Sequence, residues 1–373
     1  MLRRLAVPMR LAITISTFLV FLLGVNAFLT RQANGGDMSQ TSARIEELFT
    51  NTKTICIGRF LIDVPQHVEV VYGPSYLPWP ITSYPGKGKD IDVLVSERLG
   101  EIEEEKFSAS GPLIARESFV GKVINGVLST QKIVFGVSKG SSRIYRIDSY
   151  INLNGDLFVQ QADPISAEKD AAVHDLNSTA SLLRRRSELE VPLEPGVCIE
   201  AGFISYPSTA EYEAVNLGLR LLDFPDVHFS LSATKKNKFV ESDALEPRVR
   251  QAEKIANRSE NSTWYSRIKT LRQGPRDIAK WRGFEMLARK PAQVHEGESH
   301  EFVFVSQGQP KNALLPVLEL ELHTGVEKNQ IGGTKPSLED DEAVAIWDRL
   351  TTSIRMRPTD KQGELNAQRH QVR

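Results

Sequence analysis

The sequence predicts an α+β protein with two domains, each a mainly antiparallel sheet covered by helices, behind an N-terminal signal or anchor helix. Strand-length segments follow one another in both halves of the 373 residues, with turn-forming residues between them. Segments of helical periodicity, long enough to cover one face of a sheet, occur in each half. This combination of antiparallel strands and covering helices is the α+β pattern.

The N-terminus reads as an export segment. Three arginines, the last at position 10, precede an apolar run from Leu11 to Leu23. Small residues then end at Ala27, which predicts signal peptidase cleavage before Phe28. The alternative is an uncleaved anchor, because Leu11 to Leu29 is about long enough to cross a bilayer core. In both cases the body lies outside the cytoplasm, and the uncleaved form stays attached to the inner membrane.

Proline and glycine interrupt the chain near residues 190–196, which predicts the domain boundary. The predicted segments are a signal peptide or signal anchor at 1–27, a flexible linker at 28–42, an N-terminal domain at 43–190, a C-terminal domain at 197–358 and a polar tail at 359–373.

The charge balance argues against a nucleic acid partner. Lys and Arg total 46 against 47 for Asp and Glu, so the chain has no general positive field for phosphates. Loss of residues 1–27 removes three arginines and no acids, which leaves 43 basic against 47 acidic residues and a net charge of −4. The mature surface is therefore mildly acidic.

In the N-terminal domain we predict one strand at 55–64, its partner at 67–72, and an irregular loop from Gly73 to Gly88. Four prolines and the rings of Tyr76, Trp79 and Tyr84 fall in this loop. The remaining predictions are an amphipathic helix from Asp90, a strand meander at 114–119, 122–128, 131–137, 143–153 and 157–161, and a helix at 166–186 that ends in three arginines.

In the C-terminal domain the same periodicities predict further strands, a helix at 245–257 and a closing helix. The closing helix has Ser337 as its cap and ends before Pro358. The predicted strands lie at 197–205, 214–221, 227–234, 280–289, 301–307 and 315–323.

The two cysteines, Cys56 and Cys198, have two readings. In an oxidising compartment they can form a disulfide that closes a long loop. Their apolar neighbours are equally consistent with two small buried side chains. The sequence leaves both readings open.

A serine motif suggests a hydrolase. Residues 136–140, with Ser138 at the centre, match the Gly-x-Ser-x-Gly nucleophile elbow, and His295, His300 or His323 would supply the base. The elbow requires a helix after the serine, whereas the residues after Ser138 alternate as a strand does. We therefore interpret the motif as a hairpin turn and predict no catalytic residue.

Metal and cofactor sites are not predicted. His295, Glu296, Glu298 and His300 are close in sequence, but on a strand the two histidines face opposite sides. The chain has no phosphate-binding glycine loop, zinc cysteine cluster or dinucleotide fingerprint.

The chain resembles a known family along most of its mature length. The opening segment Cys56 to Pro65 is similar to that of the type VI secretion immunity family called Tli, in the class paired with the fourth group of lipase effectors. Further similar segments lie in order at 160–164, 196–204, 224–227, 320–325, 345–349 and 353–358.

The resemblance implies a periplasmic antitoxin whose two domains hold a secreted phospholipase and block its access to lipid. An exported hydrolase using Ser138 and a structural protein of the envelope are the alternatives. For the antitoxin, we expect Tyr76, Trp79 and Tyr84 to anchor the effector, since aromatic rings dominate many interfaces. Glu101, Glu103 and Glu104 are a second candidate contact, with a solvated helix end as the simpler reading.

Overall fold

Strands from both halves of the chain join in one sheet. The computed structural model describes residues 43–106, 118–138, 143–210, 212–256 and 262–359. The predicted export segment, the linker up to residue 42, part of the strand predicted at 114–119, and the tail from residue 360 lie outside the described residues. Within the described ranges, no helix is long and apolar enough to cross a membrane.

The α+β fold class is confirmed, because the described residues form antiparallel sheets covered by a few helices. The helices are α1 Ala43–Leu48, α2 Ile91–Lys106, α3 Lys169–Leu182, α4 Leu245–Ala256, α5 Ser262–Tyr265 and α6 Asp340–Thr352. The strands of the first half are β1 Thr52–Ile57, β2 Phe60–Pro65, β3 Val68–Tyr72, β4 Ser75–Tyr76, β5 Pro80–Tyr84, β6 Val123–Asn125, β7 Gln131–Val137, β8 Tyr145–Leu153 and β9 Asp156–Ala162. Those of the second half are β10 Leu183–Arg185, β11 Val197–Ile199, β12 Gly202–Ile204, β13 Ala214–Leu221, β14 His228–Thr234, β15 Lys269–Ile278, β16 Trp281–Lys290, β17 Ser299–Ser306, β18 Val317–His323 and β19 Arg355–Met356.

The large antiparallel sheet runs across the predicted domain boundary. In the described part of the chain it has 13 strands, in the order β15-β16-β17-β18-β14-β13-β4-β5-β9-β8-β7-β6, with β3 also paired to β13. Strand β13 connects the two halves, because β14 lies on one side of it and β3 and β4 lie on the other. The β4 connection consists of one residue pair, Tyr76 with Ala214.

The main core lies between this sheet and a layer formed by α6 and the β1–β2 hairpin. Trp347 of α6 packs edge-on against Phe302 of β17, with ring centroids 6.0 Å apart. Phe60 of β2 makes a similar contact with Trp281 of β16 at 5.1 Å. The first strands of the chain therefore belong physically to the C-terminal core. Helix α4 covers the other face of β16 and β17, and α2 and α3 pack on β7–β9.

The prediction of an irregular loop from Gly73 to Gly88 is wrong, because β4 and β5 occupy much of it and join the large sheet. Proline is tolerated in strands where no ladder N–H is needed. Three of the four prolines lie outside these strands, and Pro80 is the first residue of β5.

Several other expectations need correction. The arginine run does not end a helix, because α3 stops at Leu182 and the next three residues pair with β12. Ser337 does not cap the closing helix; its hydroxyl donates to Asp226, and Glu339 and Glu342 form the capping box. The strands predicted at 55–64 and 197–205 are each split into a hairpin. Strand β15 was not predicted, since Gly274-Pro275 resembles a turn.

Candidate functional site

Tyr76 lies where the two halves of the sheet meet. Its ring contacts that of Tyr212 edge-on, with centroids 6.2 Å apart, and Tyr212 is 41% exposed. Tyr212 precedes β13, so the pair spans the single β4–β13 connection. Edge-to-face tyrosine pairs offer a rigid apolar surface with polar hydroxyl groups. Sequence reasoning found Tyr76 but missed Tyr212, which lies 136 residues further along the chain.

Trp79 has a different environment from Tyr76. Its side chain is half-buried against the core of the first half, and its indole Nε1 donates to Asp175 Oδ2 of α3 at 3.3 Å. On the same helix, the hydroxyl of Thr179 donates to the carbonyl of Leu77 at 3.0 Å. These bonds fix the turn between β4 and β5 against α3, so Trp79 supports the surface more than it forms it.

Tyr84, at the end of β5, is 43% exposed. Burial and the nearby carboxylate of Glu200 raise the pKa of Tyr84. Glu200 also raises the pKa of Tyr72, in which burial is the main cause and Glu188 adds to the effect. The carboxylate of Glu200 therefore raises the pKa of both Tyr84 and Tyr72.

The three predicted acidic contacts on α2 differ in their surroundings. Glu101 accepts a hydrogen bond from Arg98 at 3.0 Å, whereas Glu103 and Glu104 are exposed. Arg98 is itself buried and donates to Asp148 of β8 at 2.9 Å. Burial opposes the charge of Arg98, but the carboxylates of Asp148 and Glu105 raise its pKa. Glu101 therefore contributes to an ion cluster that attaches α2 to the sheet.

The serine motif begins at the end of strand β7 and precedes strand β8. Strand β7 ends at Val137 and pairs antiparallel with β8, and the N–H of Ser138 donates to the carbonyl of Ile144 at 3.1 Å. The glycine before it serves packing, because a Cβ at Gly136 would lie 2.5 Å from Nη2 of Arg98. The antiparallel pairing of β7 with β8 agrees with the hairpin interpretation; residues 139–142 lie outside the described residues.

In the described part of the chain, His300 and His323 bond to residues other than Ser138. His300 is buried, and its ring nitrogens bond to Thr324 Oγ1 and Asp340 Oδ1, each at 2.9 Å. His323 lies beside Glu321, with Nε2 and Oε2 3.4 Å apart. His295 is exposed in a turn. In the ranges that the structure describes, no three His, Cys, Asp or Glu side chains are arranged to hold a metal ion.

The loop between β10 and β11 has a rigidly held backbone that the sequence did not predict. We call residues 187–196 the clamped loop, because two buried arginines bond to its backbone. Arg186 Nη1 donates to the carbonyls of Ser187, Glu188 and Glu190 at 3.0–3.1 Å. From the C-terminal end of the chain, Arg357 donates to the carbonyls of Pro192, Glu194 and Gly196. The composition alone predicted only a domain boundary near residues 190–196.

A covalent bond lies next to the clamped loop. Cys56 of β1 and Cys198 of β11 form a disulfide, with sulfurs 2.04 Å apart. Backbone bonds between Gly58 and Cys198, at 2.9 and 2.8 Å, connect the same strands. The disulfide therefore joins the start of the described chain to the strand after the loop.

Comparison with known proteins gives a family match for the C-terminal part of the chain. A family model described as the Tle cognate immunity protein 4 C-terminal domain matches residues 190–359. This part of the chain is similar to the C-terminal domain of that immunity-protein family. The resemblance to Tli proteins that the sequence predicted is thereby confirmed. A comparison with curated proteins gave no match.

Solved structures extend the likeness to most of the chain. The apo structure of the immunity protein TplEi of the type VI secretion system from Pseudomonas aeruginosa has a TM-score of 0.66 and 22% identity. The crystal structure of a Tle4–Tli4 complex gives 0.67 and 24%, and TplEi complexed with "L" peptide gives 0.61 and 24%. Each match covers 83% of this chain and 99% of the other. The family thus shares its fold with the first half of this chain as well.

Proposed function

We propose that this chain is an immunity protein that binds a lipase effector of a type VI secretion system and inhibits it. The observation that carries the proposal is the family match over residues 190–359, joined to a common fold over 83% of the chain. A solved relative is a Tle4–Tli4 complex.

We place the contact surface where the two halves of the sheet meet. Tyr76 and Tyr212 form a rigid pair there, and Tyr84 exposes part of its ring on the same strand system. Trp79 supports this surface from below. An effector held between the two halves would contact these rings and lose access to lipid, which is the simplest way to inhibit a lipase without chemistry.

Charged contacts surround the aromatic ones in this proposal. Glu103 and Glu104 are exposed on α2, whereas Glu101 contributes chiefly to holding Arg98. Charges at the rim of an interface mainly affect association rate and choice of partner. We therefore assign Glu103 and Glu104 a role in specificity rather than affinity.

The proposed site of action is the periplasm. The arginines and apolar run at the N-terminus support export, whether or not the segment is cleaved. The Cys56–Cys198 disulfide is consistent with an oxidising compartment. We also propose that the protein acts without catalysis, by occupying the effector.

The test is protection in the compartment where the effector acts. A lipase effector of a type VI secretion system from the source organism is directed to the periplasm of a sensitive host, with and without this chain. We expect survival only when the chain is present, and a 1:1 or higher-order complex when both are purified. A matched lipase with its catalytic serine replaced controls for toxicity unrelated to hydrolysis. Equal killing with and without the chain contradicts the proposal.

A further inference from the structure

The clamped loop exposes two large apolar side chains although its backbone is fixed. Leu189 is 61% exposed and Leu193 is 50% exposed. Between them Pro192 is buried, and Val191 packs against the cluster around the disulfide. Exposed leucines on a rigid support, close together in sequence, are more typical of an interface than of a linker.

The support under this loop is unusually costly. Arg186 and Arg357 are both buried, and their hydrogen-bond partners are backbone carbonyls rather than carboxylates. Burial and the neighbouring charge of Arg59 lower the pKa of Arg357 to about 10. Gly196 ends the loop, and a Cβ there would lie 2.4 Å from the carbonyl of Ile204. A segment that only connected two domains would not require two buried cations.

Acidic side chains surround the two leucines. Glu188, Glu190 and Glu194 all have side chains more than a third exposed. Arg184 holds the second and third of them, at 2.7 and 2.5 Å, so their carboxylates have fixed positions. Lys53 pairs with Glu188 at 2.9 Å, so all three carboxylates take part in ion pairs and the rim around the leucines is polar but largely charge-compensated.

The loop is also continuous with the surface proposed above. Arg185, just before it, donates to Asp156 Oδ2 at 2.7 Å, and Asp156 Oδ1 accepts from the N–H of Gly86. Gly86 lies two residues after Tyr84. A partner that contacts Tyr84 therefore lies near the start of the clamped loop.

We infer that the clamped loop is a second docking element, in which Leu189 and Leu193 enter an apolar pocket with a polar edge on the partner protein. This inference rests on the proposed function, because the partner is the lipase effector. The buried arginines fix the loop before binding, so little ordering entropy is lost when the two leucines are buried.

The test compares the binding of surface variants to the lipase effector used in the protection test, with the catalytic serine of the lipase replaced. Leu189→Ser with Leu193→Ser removes both apolar side chains and leaves the arginine bonds in place. We expect the Kd to rise by about 10- to 100-fold, the range typical of losing interface anchors. Leu314→Ser is the matched control, because Leu314 is 44% exposed on another loop and should bind as wild type does. Leu189→Met with Leu193→Met should retain most of the affinity.

The outcomes separate this inference from the proposed function. If the wild-type chain does not bind the lipase, the proposed function fails. If wild type binds and the double serine variant binds equally well, only the docking element is overturned. Vesicles of phosphatidylethanolamine and phosphatidylglycerol provide the third arm. Weaker vesicle binding by the double variant, with unchanged lipase affinity, would assign the leucines to lipid and also overturn the inference.

Discussion

Arg59 and Glu213 form a buried ion pair across 154 residues of sequence. The guanidinium Nε lies 3.0 Å from Oε1 and Nη2 lies 2.7 Å from Oε2, and each side chain is at least nine-tenths buried. Arg59 follows β1, and Glu213 lies beside Tyr212 at the start of β13. The pair thus attaches the β1–β2 hairpin to the strand that joins the two halves.

Removing one partner of this pair should destabilise the protein strongly. Glu213→Gln leaves the charge of Arg59 buried without a counterion, which typically costs about 3–5 kcal/mol. We expect this loss in the free energy of unfolding measured with urea. The double variant Arg59→Met with Glu213→Leu should recover part of the loss, because apolar side chains replace both charges. A single-variant cost below about 1 kcal/mol would show that the pair behaves as an exposed one.

The disulfide should be a major source of stability. Cys56 and Cys198 are 142 residues apart, and on the chain-entropy model closing such a loop contributes about 5 kcal/mol. We expect Cys56→Ala with Cys198→Ala to lower the unfolding free energy by an amount of this order. Wild type measured in reducing agent should approach the double variant, whereas the double variant itself should not respond. A reducing agent that shifts both proteins equally would refute the assignment.

The stability should depend on pH through His300. Burial lowers the pKa of His300 below 6.5 in the folded state, although Asp340 opposes this. As pH falls below about 6.5, the unfolded histidine binds a proton that the folded one resists, so the unfolded state is favoured. We expect wild type to lose stability between pH 7.5 and 5.5, and His300→Gln to lose less over the same interval. The low pKa of Asp340 acts at more acidic pH and does not affect this comparison. Parallel curves for the two proteins would contradict the prediction.

Trp79 and Tyr84 should separate stability from binding. Trp79→Ala removes a half-buried ring and its bond to Asp175, and we expect a loss toward the lower end of the roughly 3–5 kcal/mol typical of core aromatic truncations. Tyr84→Ala changes an exposed side chain and should alter the unfolding free energy by less than about 0.5 kcal/mol. Effector affinity should fall for Tyr84→Ala even though the melting temperature stays constant. If only Trp79→Ala weakened binding in a still-folded protein, Tyr84 would lose its assigned role.

Ser138 should not be a nucleophile. It follows β7, and the next strand of the described residues, β8, pairs antiparallel with β7, whereas the nucleophile elbow of a hydrolase leads from a strand into a helix. We expect Ser138→Ala to leave both the background phospholipid hydrolysis of the purified protein and its protection of cells unchanged. A serine-directed fluorophosphonate probe that labels wild type but not the variant would support the hydrolase alternative instead.

Local sequence patterns predicted the elements whose periodicity matched their environment. Strands β13, β14 and β18 were placed within about two residues, because one face of each is buried and the apolar positions alternate. Strand β7 is buried along almost its whole length and was placed by its apolar run between turn residues. Helices α2 and α4 were found for the same reason at the helical period. The segment from Gly73 to Gly88 failed, because its proline content suggested a loop whereas pairing with β9 and β13 made part of it strand.

The sequence by itself determined the fold class, the strands on either side of the Ser138 motif and the resemblance to Tli proteins, since each depends on local pattern or on similar segments in order. The tertiary structure alone decided that one sheet crosses both halves, that Tyr212 faces Tyr76, and that Arg186 and Arg357 hold the loop from both sides. These contacts join residues more than a hundred positions apart or involve backbone carbonyls, which every residue carries. No side-chain pattern can mark a carbonyl as an acceptor, so only the folded chain shows which ones the arginines bind.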